Sequence, residues 1–168
     1  KNGSNNYYAI KNKKSNFANA LMILNGSSTA GENMYQYTYD SGKLWHHWYF
    51  EFVGPESGVY AFQKSGTTSY MTLYAKTGGT YISQNNTATS PTENDNLGGL
   101  FKIIYRPITQ DYVIRSMSDN AVLIYANPSY GSPLTIKLPN VSDVNVSSTY
   151  TWKMTRASYD TCYIWYQA

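Results

Sequence analysis

Three tyrosines stand at alternate positions, Tyr35, Tyr37 and Tyr39, and are followed by Asp40 and the run Trp45-His46-His47-Trp48. On a strand this alternation turns all three phenol rings to one face. Beside them, the carboxylate of Asp40 accepts hydrogen bonds and the imidazole of His46 both donates and accepts. Alternate tyrosines also serve as cross-strand packing pairs, so each ring has a structural use that competes with a binding one. A second grouping, Asn127 and Tyr130, lies in a turn-rich stretch where simple turn formation is the competing use. The acidic stretch Glu93-Asn94-Asp95-Asn96 has no aromatic beside it and reads as a solvated loop.

None of these groups has the spacing of a catalytic or metal centre. His46 and His47 are adjacent, so on a strand they point to opposite faces and do not chelate one ion together. The lone Cys162 excludes an internal disulfide framework and a cysteine-based zinc site. No nucleophile elbow and no glycine-rich phosphate loop opening a helix is present. Carboxylate pairs such as Asp40 with Glu51 have nothing to place them across a glycosidic bond. The reading is a non-catalytic domain without cofactors.

The elements that position these residues follow from composition and periodicity. The chain has 168 residues, with 18 Tyr, 18 Ser, 16 Thr and 16 Asn but only 14% charged residues. Strand-favouring residues outnumber strong helix formers about two to one, which predicts an all-β domain. No apolar run approaches the roughly 20 residues of a membrane span, so membrane insertion by this domain is not expected. A net charge of +3 is too small to point to nucleic acid.

Self-similarity organises the chain. Tyr8-Ala9-Ile10-Lys11, Tyr60-Ala61-Phe62-Gln63 and Tyr112-Val113-Ile114-Arg115 begin 52 residues apart, twice over. Three further strand-like runs follow each of them, and the last opens on Trp48, Phe101 or Trp152. Between them lie turn residues such as Asn25-Gly26, Gly78-Gly79 and Asn127-Pro128. Twelve strands in three units are therefore predicted, over about 7–57, 58–109 and 110–157, with a tail at 158–168. Regularly spaced short strands of this kind suit a closed barrel.

With this threefold pattern the sequence resembles the β-trefoil fold, and within it the ricin-B-type lectins and carbohydrate-binding modules, whose repeats end in Gln-x-Trp. The matching positions are His46-His47-Trp48, Gly99-Leu100-Phe101 and Tyr150-Thr151-Trp152. The resemblance implies a pseudo-threefold fold of four-stranded repeats and a lectin-like function. In that family an aspartate at the start of the second strand, an aromatic platform on the third and an amide before the closing Trp hold the sugar. Here Met22, Thr72 and Leu123 or Ile124 stand nearest the aspartate position, so the family's galactose site is not reproduced intact. Repeat one keeps the most chemistry, with Tyr37 near the platform position and Tyr39, Asp40 and His46 around it; Asn127 and Tyr130 are the counterparts in repeat three. The expected partners are glycans, of galactose type or at cell surfaces. The expected setting is extracellular, as the targeting module of a larger secreted enzyme or toxin.

Two rival functions share the fold. A protein-binding β-trefoil, such as a protease inhibitor, uses one loop rather than three related pockets. A polyanion binder would use Lys11, Lys13 and Lys14, which a hairpin turn brings together, although such a turn is most simply a solvated loop.

Overall fold

Alternating apolar residues between turn signals become strands throughout the chain. The computed structural model describes residues 7–27, 31–53, 58–64, 70–76, 79–85, 97–118, 120–125, 134–137 and 140–156. The strands are β1 (Tyr7–Asn12), β2 (Asn19–Ile23), β3 (Met34–Thr38), β4 (Trp48–Phe52), β5 (Val59–Lys64), β6 (Tyr70–Lys76), β7 (Gly79–Asn85), β8 (Phe101–Arg106), β9 (Asp111–Ser116), β10 (Val122–Tyr125), β11 (Leu134–Lys137) and β12 (Trp152–Arg156). Among the described residues the only helical elements are single 3-10 turns, and no helix is long and apolar enough to cross a membrane.

Six strands close a ring, every neighbour antiparallel: β1 pairs with β4, β4 with β5, β5 with β8, β8 with β9, β9 with β12, and β12 with β1. The hairpins β2–β3, β6–β7 and β10–β11 attach through the equivalent pairs Lys11↔Ala20, Gln63↔Tyr70 and Arg115↔Val122. One pairing scheme thus recurs three times, and closing the ring removes the exposed edges an open sheet would leave.

The core lies where the hairpins meet the ring. Ile10, Leu21, Trp48, Phe62, Phe101, Leu123 and Trp152 are all fully buried in one cluster, and burying each such side chain is worth about 1.5–3 kcal/mol. The closing tryptophans also fasten the hairpins: Trp48 Nε1 donates to Leu21 O at 3.2 Å, and Trp152 Nε1 to Leu123 O at 3.3 Å. Phe101 holds the third equivalent position with apolar contact alone, since a phenyl ring carries no donor.

One feature departs from simple alternation. Ala9, Ala61 and Val113, which strict alternation with the inward Ile10, Phe62 and Ile114 would turn to solvent, are fully buried. Ala61 packs with Tyr70 and Leu100, and Val113 with Val122 and Val146, in two satellite clusters outside the barrel. The loops and hairpins that wrap the ring cover its outer face, so both faces of these strands are apolar.

Candidate functional site

On β3, Met34 and Gln36 point inward, at 0% and 1% exposure, while Tyr35 and Tyr37 are half-buried on the opposite face. Their rings meet edge to face at 6.4 Å. Tyr37 stands across from Ala20 and Tyr35 across from Met22. Tyr39 follows the end of the strand, its backbone N–H donating to Ala18 O at 2.9 Å.

Tyr39 is the most heavily engaged of the three. The Lys11 ammonium sits 4.0 Å from its ring centroid, a cation–π contact that occupies one face of the ring. The His46 and His47 rings lie 5.8 and 6.1 Å away, and Tyr39 Oη is 3.4 Å from His47 Nε2. The two histidines are not on a strand: His46 ends the 3-10 turn Leu44–His46, and His47 follows it with its N–H donating to Leu44 O at 2.9 Å. The expectation that they face opposite ways is therefore corrected, because a 3-10 turn lacks the twofold alternation of a strand and both rings come beside Tyr39. Among the described residues no group of three or more His, Cys, Asp or Glu is placed to hold a metal ion.

His46 is only 3% exposed, so it presents almost no surface to an outside ligand, and its Nδ1 has no hydrogen-bond partner. Burial, reinforced by His47 and opposed by Asp40, lowers its pKa to about 4. Burial also pushes His47 down, again against Asp40. Both rings are therefore neutral near pH 7. Asp40 is exposed, and its Oδ1 accepts a hydrogen bond from the Gly42 N–H at 2.8 Å, which fixes the carboxylate at the end of the tyrosine row. Next to it, Lys43 Nζ lies 5.3 Å from the Trp45 ring centroid. Asn127 and Tyr130 lie outside the described residues, as does the acidic stretch Glu93–Asn96.

The three lysines expected together in the first turn are separated, because Lys11 lies on β1 and only Lys13 and Lys14 are in the turn. Lys13 bonds Asp111 Oδ2 at 2.9 Å and Thr109 O at 3.0 Å, Lys11 covers Tyr39, and Lys14 is exposed. Asp111 itself is fully buried. Burial alone would raise its pKa, but hydrogen bonds from Arg106, Lys13, Thr109 and Thr151 outweigh this and hold the carboxyl well below the usual carboxylate range. Arg106 bonds it through two nitrogens, at 2.7 and 2.9 Å, a geometry only a guanidinium supplies. The role of Lys11 at Tyr39 is not visible in the sequence, although its place across from Ala20, the neighbour of Tyr37, follows once the hairpin register is known.

No protein-family model and no curated protein sequence matches the chain. Solved structures do match it. The designed 3-fold symmetric protein ThreeFoil superposes with a TM-score of 0.65 at 17% identity, covering 88% of this chain and 96% of that one. The Macrolepiota procera ricin B-like lectin in complex with lactose superposes with a TM-score of 0.65 at 16% identity, over 93% of this chain and 99% of that one. A mosquitocidal holotoxin superposes with a TM-score of 0.70 at 21% identity over 94% of this chain, which spans only 18% of that longer chain. At these identities the likeness is one of fold, and with its closed six-strand ring and three hairpins the chain is a β-trefoil of the form seen in ricin B-like lectins.

Proposed function

We propose that this domain is a non-catalytic carbohydrate-binding module whose principal site is the tyrosine face of the first hairpin. The observation that carries the reading is the half-buried pair Tyr35–Tyr37, which meets edge to face on the outer face of β3, with the turn-fixed carboxylate of Asp40 following two residues after the strand ends. A pyranose has an apolar C–H face that stacks on a phenol ring and vicinal hydroxyls that donate to a carboxylate. In this reading Tyr37 is the platform and Asp40 the acceptor. Tyr39, clamped by Lys11, and the buried His46 hold the turn in place from behind. Asn127 and Tyr130 supply a corresponding site in repeat three. The lactose-bound lectin among the similar folds supports a galactose-type glycan as the ligand. The toxin among them supports a place as the targeting part of a larger secreted protein.

A glycan array at low and high salt, run beside a protease-inhibition panel, tests this. Binding that is nearly independent of salt is expected, since stacking on a neutral sugar releases few counterions. In a hit so found, Tyr37→Ala should weaken binding at least tenfold while leaving the melting temperature nearly unchanged. Equal losses of binding and stability would assign Tyr37 to the core, and protease inhibition without glycan binding would replace the reading altogether.

A further inference from the structure

A row of residues crosses four strands beside the tyrosine face. Lys153 on β12 stands opposite Lys11 on β1, Lys11 opposite Ala20 on β2, and Ala20 opposite Tyr37 on β3. Directly opposed residues share one face of a sheet, so the two lysines lie on the same side of it as Tyr37. Like charges placed directly opposite each other are destabilising. Among the described residues no carboxylate offsets them: Asp111 pairs with Lys13 and Arg106, Asp143 pairs with Arg115, and neither Lys11 nor Lys153 has an acidic partner. Each ammonium sits instead against an aromatic ring, Lys11 at 4.0 Å from the Tyr39 centroid and Lys153 at 5.2 Å from that of Phe17.

A ring face attracts a cation but leaves its charge in place and gives its three N–H donors no oxygen to bond. Lys11 is half-buried, and burial together with the charge of Lys153 lowers its pKa. Phe17 is held at φ +63°, a left-handed backbone that a bulky residue adopts only under strain. That strained turn sets an aromatic ring, not a carboxylate, beside Lys153. Two positive charges without a counter-charge are thus kept next to the face read as taking a sugar. Paired strands lie about 4.8 Å apart, so the Lys11 and Lys153 backbones are about 10 and 14 Å from that of Tyr37 along the row. A sugar adjoining the stacked one, rather than the stacked one itself, would meet their ammonium groups. We propose that Lys11 and Lys153 form a subsite for the anionic group of an acidic glycan, a carboxylate or sulfate on the sugar next to the one at Tyr37. Such a subsite rests on the carbohydrate reading for the sugar at Tyr37, but its anion contact can be read without that sugar.

Backbone amide shifts of the full chain, titrated at low and high salt, test the two parts separately. The probes are lactose, lactose sulfated on one ring, lactose extended by a sialic acid, and inorganic sulfate. At least one acidic sugar should shift the Lys11 and Lys153 amides saturably, and whichever binds more tightly identifies the anion as sulfate or carboxylate. High salt should weaken that binding toward the level of lactose, whose own stacking stays nearly independent of salt. Lys153→Gln should weaken the acidic sugar by about threefold to fivefold, the scale of one exposed ion pair, with no loss of melting temperature, and Lys153→Arg should restore most of it. The subsite is overturned if neither acidic sugar shifts the two lysines, or if Lys153→Gln binds as wild type does. It is equally overturned if inorganic sulfate binds as tightly as the acidic sugars, which would make the pair a general anion contact. Shifts at the lysines with none at Tyr35 and Tyr37 would uphold the anion contact and refute the tyrosine platform instead.

Discussion

Acidification tests the placement of His46 directly. Its pKa falls from an ordinary 6.5 to about 4 on folding, mainly through burial. In the unfolded chain the ring takes up a proton as pH drops through 6.5, whereas in the folded protein it stays neutral until about 4. The unfolded state therefore binds more protons in that window, and stability rises with pH across it. The contribution is complete above the unfolded value and is lost as pH falls toward the folded one. At about 1.4 kcal/mol per unit, the loss is about 2 kcal/mol at pH 5 and about 3 kcal/mol at pH 4. Urea unfolding at about pH 7.5 and pH 5, followed by tryptophan fluorescence, should show this loss as a lower midpoint at constant slope. His46→Gln removes the titration but keeps a neutral side chain able to hydrogen-bond, so most of the difference between the two pH values should disappear. His47, also lowered by burial, leaves a smaller residual in the same direction. If wild type and His46→Gln lose stability in parallel over this range, the ring is not buried as described and the arrangement behind Tyr39 is wrong.

Other sites give equally definite expectations. Asp111→Ala leaves the buried Arg106 guanidinium without its carboxylate, and thermal or urea unfolding should register a loss of about 3–5 kcal/mol. Because that carboxyl is held below its ordinary 3.8, its contribution is complete above that value and is lost as pH falls further, so the wild type and Asp111→Ala should converge in strong acid. Gly26 has φ +68°, and a Cβ there would lie 2.8 Å from Trp45 Cε3. Gly26→Ala should therefore cost about 1–3 kcal/mol, and a displaced indole should appear as a change in tryptophan emission.

Much of the architecture is legible in the sequence because it rests on local rules. The 52-residue period, the turn residues between runs and the closing Trp48, Phe101 and Trp152 identify the strands and their threefold arrangement without any knowledge of which strand meets which. The segment from Phe17 to Leu24, ambiguous by propensity, is settled by its counterparts in the other repeats and contains β2. Alternation likewise places Tyr35 and Tyr37 on one face, since that depends only on the pleat of a single strand.

What surrounds those tyrosines was decided by the tertiary structure. Lys11 is separated from Tyr39 by 28 residues and Lys13 from Asp111 by 98, and only the pairing of distant strands brings them together. His46 has the same chemistry in the sequence whether exposed or buried. The 3-10 turn that tucks it behind Tyr39 makes it a neutral buried ring rather than a surface donor. Tyr8, Tyr60 and Tyr112 illustrate both halves: their spacing marks them as the repeated barrel strand, but only closure of the ring sets them around a common opening. Periodicity is a property of the backbone and is written locally, whereas burial and partnership arise when remote segments meet, and no short stretch of sequence encodes them alone.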